Sequence, residues 1–200
     1  DTEVLVEEAL QALRPGARAL DLCTGSGCIL ISLLKMAKER LHIEEIRGAG
    51  ADISEEALAV AEENAKLLGA QAQFVRSDLF AKIEGRFDLI VSNPPYIPTE
   101  AIEGLQDEVR LFDPRIALDG GADGLHFYRE IVRQSIGHIE DGGTLIFEIG
   151  CEQGEAVASL MESAGYGDVR VKKDLSGLDR AVRGRYNREQ MYESRRRGNV

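Results

Sequence analysis

The sequence predicts an α/β fold: a doubly wound, mostly parallel seven-stranded sheet with an antiparallel strand pair at one edge. Three observations carry that prediction. Short apolar runs alternate with amphipathic stretches at helical spacing, the pattern of successive βα units. The turn after the first run, Asp21-Leu22-Cys23-Thr24-Gly25-Ser26-Gly27-Cys28, is glycine-containing at the point where doubly wound sheets bind nucleotides. The last two runs, 168–172 and 181–186, have no helix between them, and so short a link cannot make a parallel crossover.

Taken in order, Val4, Leu5, Ala9, Leu10 and Leu13 predict a helix over 4–13, with Asp1 or Thr2 as its cap and Arg14-Pro15-Gly16 as its stop. Strand one covers 17–22 and its helix 29–40. Strand two covers 47–53. Ser54 caps a helix running to 68, with Glu55 and Glu56 in the first turn, where the dipole favours acids, and Gly69 at its end. Residues 72–75 and 87–92 are strands three and four. The polar loop 97–123, punctuated by Pro98, Pro114 and Gly120-Gly121, has the length of a functional lid. A helix over 124–139, a turn at Asp141-Gly142-Gly143, a strand over 144–149 and a helix over 152–164 precede the final strand pair. From 187 the chain reads as a polar tail.

Two hundred residues suffice for one domain with a substantial core. No apolar run approaches the ~20 residues needed to span a bilayer. Cys23, Cys28 and Cys151 form no disulfide framework, and no signal peptide opens the chain, so a reduced, cytoplasmic setting is expected. The spacing of Cys23 and Cys28, with His42, His126 and His138 scattered, predicts no metal site. The chain opens at Asp1 without methionine, which reads as a domain cut from a longer protein or a processed one. The net charge of −11 argues against direct nucleic-acid binding. Arginine gathers only towards the end, at Arg180, Arg183, Arg185, Arg188, Arg195, Arg196 and Arg197, which reads as a solvated terminus before it reads as a contact for RNA or an acidic partner.

Four constellations bear chemistry. Gly25 and Gly27 allow close approach of a ligand to the backbone. Leu30 stands where a dinucleotide fingerprint wants its third glycine, and no Gly-Lys-Ser/Thr is present, which excludes the NTPase phosphate loop. Asp21 at the strand end would repel a pyrophosphate and suits an ammonium, such as that of the methionine part of S-adenosyl-L-methionine. Asp52, in Gly50-Ala51-Asp52-Ile53-Ser54, can accept ribose hydroxyls and indicates an adenosine without naming the cofactor. Asp78, in Ser77-Asp78-Leu79-Phe80, can accept from an adenine amine with Leu79 lining the ring, although a strand-end Asp is as often a turn former. Asn93-Pro94-Pro95-Tyr96 follows strand four. The prolines make a stiff loop rich in acceptors and poor in donors. With the Asn93 oxygen and the Tyr96 ring it suits a planar NH2 group, an amide or an exocyclic base amine.

These segments together resemble class I S-adenosylmethionine-dependent methyltransferases of the Rossmann-like type. More closely they resemble the release-factor glutamine methyltransferases, the HemK/PrmC family. The resemblance extends to Asp1-Thr2-Glu3-Val4-Leu5-Val6, Asp113-Pro114-Arg115-Ile116-Ala117-Leu118, Gly120-Gly121-Ala122-Asp123-Gly124-Leu125, Glu148-Ile149-Gly150 and 174–180, and covers nearly all of 1–186. It implies a methyltransferase domain over 1–186 and an arginine-rich tail over 187–200, with the amino-terminal helical domain that holds the release factor absent from this chain. It further implies S-adenosyl-L-methionine held by Asp21, Cys23, Thr24, Gly25, Ser26, Gly27, Asp52, Ile53, Asp78, Leu79 and Asn93. Asn93, Pro94, Pro95 and Tyr96 would then direct methyl transfer to the glutamine of a Gly-Gly-Gln loop in a peptide-chain release factor. Methylation of an exocyclic amine in DNA or RNA is the alternative. Cys23 departs from the family pattern, where glycine is frequent.

Overall fold

The computed structural model describes residues 2–106 and 114–189. Seven strands form one sheet in the order β3-β2-β1-β4-β5-β7-β6. They are β1 (Arg18–Leu22), β2 (Arg47–Asp52), β3 (Ala72–Arg76), β4 (Phe87–Ser92), β5 (Ile139–Glu148), β6 (Tyr166–Lys173) and β7 (Asp179–Tyr186). β1 to β5 run parallel to one another, and β7 pairs antiparallel with both β5 and β6. The edge hairpin is thus as the missing crossover helix predicts.

Helices α1 (Thr2–Leu10), α2 (Cys28–Leu41), α3 (Glu55–Leu68), the one-turn α4 (Arg115–Leu118), α5 (His126–Ser135) and α6 (Gly154–Ser163) flank the sheet. Strand alternation divides the core into two layers. Leu20, Leu22, Ile90, Leu145 and Phe147 face α5 and α6 through Tyr128, Ile131, Val157 and Met161. Ala19, Leu89, Val91 and Ile146 face the opposite way, onto Leu5 and Ala9 of α1 and Ile29 and Leu33 of α2. Ser54 caps α3 by accepting from the Ala57 amide at 3.1 Å, and Gly69 closes it, both as the sequence indicates. Among the described residues, no helix is long and apolar enough to cross a membrane.

Three regions differ from expectation. α5 ends at Ser135, four residues early, because Ser135 bonds back to the Val132 carbonyl at 2.9 Å and shares a bond with the Tyr166 hydroxyl at 2.7 Å. β5 then begins at Ile139, paired with Phe87, and the glycines expected as a turn are absorbed as an irregularity within the strand. Of the stretch 97–123 expected as a lid, residues 107–113 lie outside the described residues, and 97–106 and 114–123 are folded back on one another at the neck. A 3-10 turn covers Thr99–Gly104, α4 follows, and Ile97 bridges Asp119 at the neck. There the Ile97 amide donates to Leu118, Gly120 donates to Ile97, and the Thr99 hydroxyl donates to Asp119 at 2.7 Å.

The arginine run is not one feature either. Arg180, Arg183 and Arg185 belong to β7, where Arg180 pairs with Asp174 and Arg183 with the buried Glu8 of α1. Arg195, Arg196 and Arg197 lie outside the described residues, as do Asp1 and Asp113.

Candidate active site

β1 and β4 are neighbours at the centre of the sheet, while their following helices leave in opposite directions. Their carboxyl ends therefore open into the crevice where such sheets hold ligands. β1 is buried from Ala19 onwards, and Asp21 goes into the core with it, at 0% exposure. Its Oδ2 accepts from the Thr24 hydroxyl at 2.6 Å, but Oδ1 has no hydrogen-bond partner. Burial pushes this carboxyl up to about 7. The Thr24 hydroxyl and the Leu30 amide draw it down, and the Asp52 charge adds to the rise.

The turn beyond Asp21 is held from several sides. The Thr24 amide donates to the Ala51 carbonyl, and Gly27 donates to Thr24. Gly27 caps α2 at φ 77°, and a Cβ there would come within 3.1 Å of Ala61 and Ile31, so glycine is required on two counts. A Cβ at Gly25 would meet nothing within 4 Å, so that amide borders open space. Cys23 adopts φ 56°, a left-handed conformation that explains why glycine suits this place and that costs a cysteine about 1–2 kcal/mol. Its thiol is pushed up to about 12, by burial first and then by Asp52, with Ser92 opposing and Asp21 and Asp78 adding smaller rises. The carboxylates at the ends of β1 and β2 and in the turn after β3 thus all act on this one thiol.

Asp52 braces the crevice. Its Oδ2 accepts from the Gly25 amide and its Oδ1 from the Ser54 amide, both at 2.9 Å. Each oxygen keeps a second lone pair for a ligand hydroxyl. Ile53 beside it is 44% exposed, an apolar side chain left at the surface. Asp78 is exposed and Leu79 half-buried at φ 45°, fixed by the Ser77 hydroxyl donating to the Leu79 carbonyl at 2.8 Å. Ser26 is exposed, its carbonyl accepting from Asn64.

At the end of β4 the Ser92 hydroxyl donates to the Leu22 carbonyl at 2.8 Å, tying the two central strand ends together. Asn93 is half-buried, and among the described residues its side chain makes no hydrogen bond. Pro94 and Pro95 are buried, and Tyr96 is half-buried. Burial raises the Tyr96 phenol, Glu148 and Cys151 raise it further, and Arg180 opposes them, so the ring stays neutral at physiological pH.

Sequence reasoning passed over the residues that hold this loop. Gln153 donates to the carbonyls of Tyr96 at 2.9 Å and Gly124 at 3.3 Å, and its oxygen accepts from the Gly150 amide. Tyr128, fully buried, donates to the Glu148 carbonyl at 3.0 Å. A Cβ at Gly124, where φ is 72°, would lie 2.4 Å from the Tyr96 carbonyl oxygen and 2.8 Å from Gln153 Nε2. Replacing Gly124 by Ala is therefore expected to destabilise the fold by roughly 1–3 kcal/mol, read as a lowered midpoint in thermal unfolding. An unchanged midpoint would contradict this packing. The available signal for Gln153 was a polar side chain just ahead of a helix that follows a buried strand.

Strand order, edge hairpin and a glycine turn facing a proline-stiffened amide define the class I methyltransferase fold. Residues 1–108 match the family described as Methyltransferase small domain, and the chain belongs to that family. It is 45% identical over 186 residues to the release factor glutamine methyltransferase of Geobacter sulfurreducens, covering 92% of this chain and 63% of that protein. To the protein of the same name from Cereibacter sphaeroides it is 47% identical over 187 residues, covering 92% and 64%. The chain thus spans a little under two thirds of these relatives. Among solved structures, the release factor-specific protein-(glutamine-N5) methyltransferase of Alicyclobacillus acidocaldarius is 29% identical with a TM-score of 0.56, over 93% of this chain and 91% of that one. A methyltransferase from Pyrococcus furiosus, 18% identical with a TM-score of 0.66, shares the fold over 94% of this chain and 84% of its own.

Proposed function

We propose that this chain, as the methyltransferase domain 1–186, transfers a methyl group from S-adenosyl-L-methionine to the side-chain amide nitrogen of a glutamine. The substrate is the Gly-Gly-Gln loop of a peptide-chain release factor, met in the cytoplasm. The observation that carries the reading is the half-buried Asn93 amide, set just past a strand end and without a hydrogen-bond partner among the described residues. The names of the Geobacter and Cereibacter relatives support the choice of glutamine and release factor.

The crevice fits the methyl donor. Asp21 Oδ1, buried and unpartnered, is matched to an ammonium. Gly25 borders open space, and Asp52 retains acceptor capacity for ribose hydroxyls. Cys23, Thr24, Ser26 and Gly27 would shape the turn around the methionine part, and Ile53, Asp78 and Leu79 would border the adenine. When bound, the donor supplies an electrophilic methyl on a sulfonium.

The work of this chain is orientation. An amide nitrogen is a poor nucleophile because its lone pair is delocalised. The Asn93 side-chain oxygen and the Pro94 carbonyl accept the two amide hydrogens, which turns the lone pair towards the crevice and favours pyramidalisation. Pro95 stiffens the loop, and the neutral Tyr96 ring packs on the amide plane. Positioning of this kind contributes up to about 7–11 kcal/mol. The negative charge of the chain favours a protein amide over a base in a nucleic acid. A labelled-methyl assay offering release factor and DNA side by side tests the reading. Label in the release factor is expected, and label in DNA alone would overturn it.

A further inference from the structure

We infer that the Glu148 carboxylate faces the reacting nitrogen of the substrate amide and takes the proton that the nitrogen sheds on methylation. The inference rests on the amide-methylation reading above and adds a residue to it. β5 closes on Glu148, and the register that pairs Ser92 with Phe147 sets Glu148 level with Asn93, the residue just past β4. Alternation puts Glu148 on the sheet face of Ile146 and Val91, which is also the face of Ala19 and hence of Asp21.

Glu148 is 4% exposed, yet its Oε2 has no hydrogen-bond partner. A buried carboxylate oxygen without a hydrogen-bond partner is costly and contributes nothing to packing. Such a violation of the usual rules marks a functional position. Its charge raises the Tyr96 phenol and, as the smallest of several causes, the Cys28 thiol at the start of α2. The strand end is rigid. Tyr128 donates to the Glu148 carbonyl and packs edge-on against Phe147, and Ile149 is fully buried.

The chemistry requires such a group. As the nitrogen–methyl bond forms, the methyl–sulfur bond breaks and its electron pair leaves on sulfur. The nitrogen becomes cationic and must lose one of its two hydrogens as a proton. The Asn93 and Pro94 oxygens can hold those hydrogens but are amide oxygens, too weakly basic to keep a proton. The Glu148 carboxylate beside Asn93 takes it, and passes it to water when product leaves.

The test compares the wild-type chain with Glu148→Gln and Glu148→Asp. Single-turnover methylation of a purified release factor at saturating S-adenosylmethionine is measured beside cofactor affinity by calorimetry and thermal unfolding without cofactor. Glu148→Gln is expected to lower the rate roughly 100-fold or more. Its cofactor affinity should be unchanged and its unfolding temperature equal or higher, because a buried charge has been removed. Glu148→Asp should recover part of the rate. A Gln variant with the wild-type rate, or one whose loss of rate follows a loss of cofactor affinity or of folding, overturns the role of Glu148. A wild-type chain that leaves the release factor unmethylated overturns the functional reading itself.

Discussion

Asn93→Ala loses methyl transfer almost completely while cofactor affinity stays within a few-fold of the wild type. The side chain lies past the last residue of β4 and has no hydrogen-bond partner among the described residues, so its removal takes little from the fold. In the proposed mechanism it removes the acceptor for the substrate amide, and loss of one preorganised contact of that kind lowers kcat by about 100- to 1,000-fold. The Pro94 carbonyl alone cannot hold both hydrogens, so the nitrogen lone pair is no longer directed. Calorimetry with S-adenosylmethionine and single-turnover kinetics with release factor separate the two effects. Intact binding with unchanged turnover would remove Asn93 from the mechanism.

The second large effect is at Asp21. Its carboxyl titrates at about 7 in the folded chain against 3.8 when unperturbed, chiefly through burial, with Thr24 and Leu30 opposing and Asp52 adding. Between those two values the folded chain holds a proton that the unfolded chain has released. Stability of the cofactor-free protein therefore falls as pH rises from about 4 to about 7 and levels off above, with a total on the order of 4 kcal/mol. Asp21→Asn keeps the Thr24 hydrogen bond, removes the titrating group and flattens that slope, so the variant without cofactor unfolds at a higher temperature at pH 8 than the wild type. In the proposed site the same change removes the anion matched to the ammonium, and S-adenosylmethionine binding is expected to weaken roughly 10- to 100-fold. Thermal unfolding across pH, with calorimetry at pH 8, reads both halves. A wild-type midpoint that does not fall relative to that of Asp21→Asn across pH 4–7 would contradict the buried carboxyl.

The sequence was most informative where local chemistry and strand ends coincide. Apolar runs, Ser54 as a cap and Gly69 as a stop defined β1 to β4 and α3 within a residue or two. The glycine turn and Asn93-Pro94-Pro95-Tyr96 announced themselves because glycine and proline restrict the backbone wherever they occur. The failures have a common origin in tertiary context. Nothing local says that Asp141-Gly142-Gly143 continues a strand; the pairing of Ile139 with Phe87 decides it. Arg183 reads as part of a solvated tail until Glu8 of α1 is seen opposite it. Gln153 is an ordinary polar residue in sequence and Glu148 stands out there only as part of Glu148-Ile149-Gly150; what sets them apart is the Tyr96 carbonyl and the Asn93 position that folding brings level with them. Both Asp21 and Asp52 were legible as acids at the ends of strands beside the glycine turn. The bracing of the Gly25 amide by Asp52 was not, since it depends on a distance across two strands.

Mass spectrometry of a release factor incubated with this chain and S-adenosylmethionine is the most direct measurement. The mass of one methyl group is expected on the glutamine of the Gly-Gly-Gln loop and on no other residue, and the Asn93→Ala protein should leave that peptide unmodified. A release factor recovered without the added methyl, from a chain shown to bind the cofactor, would contradict the assignment of a protein amide as its substrate.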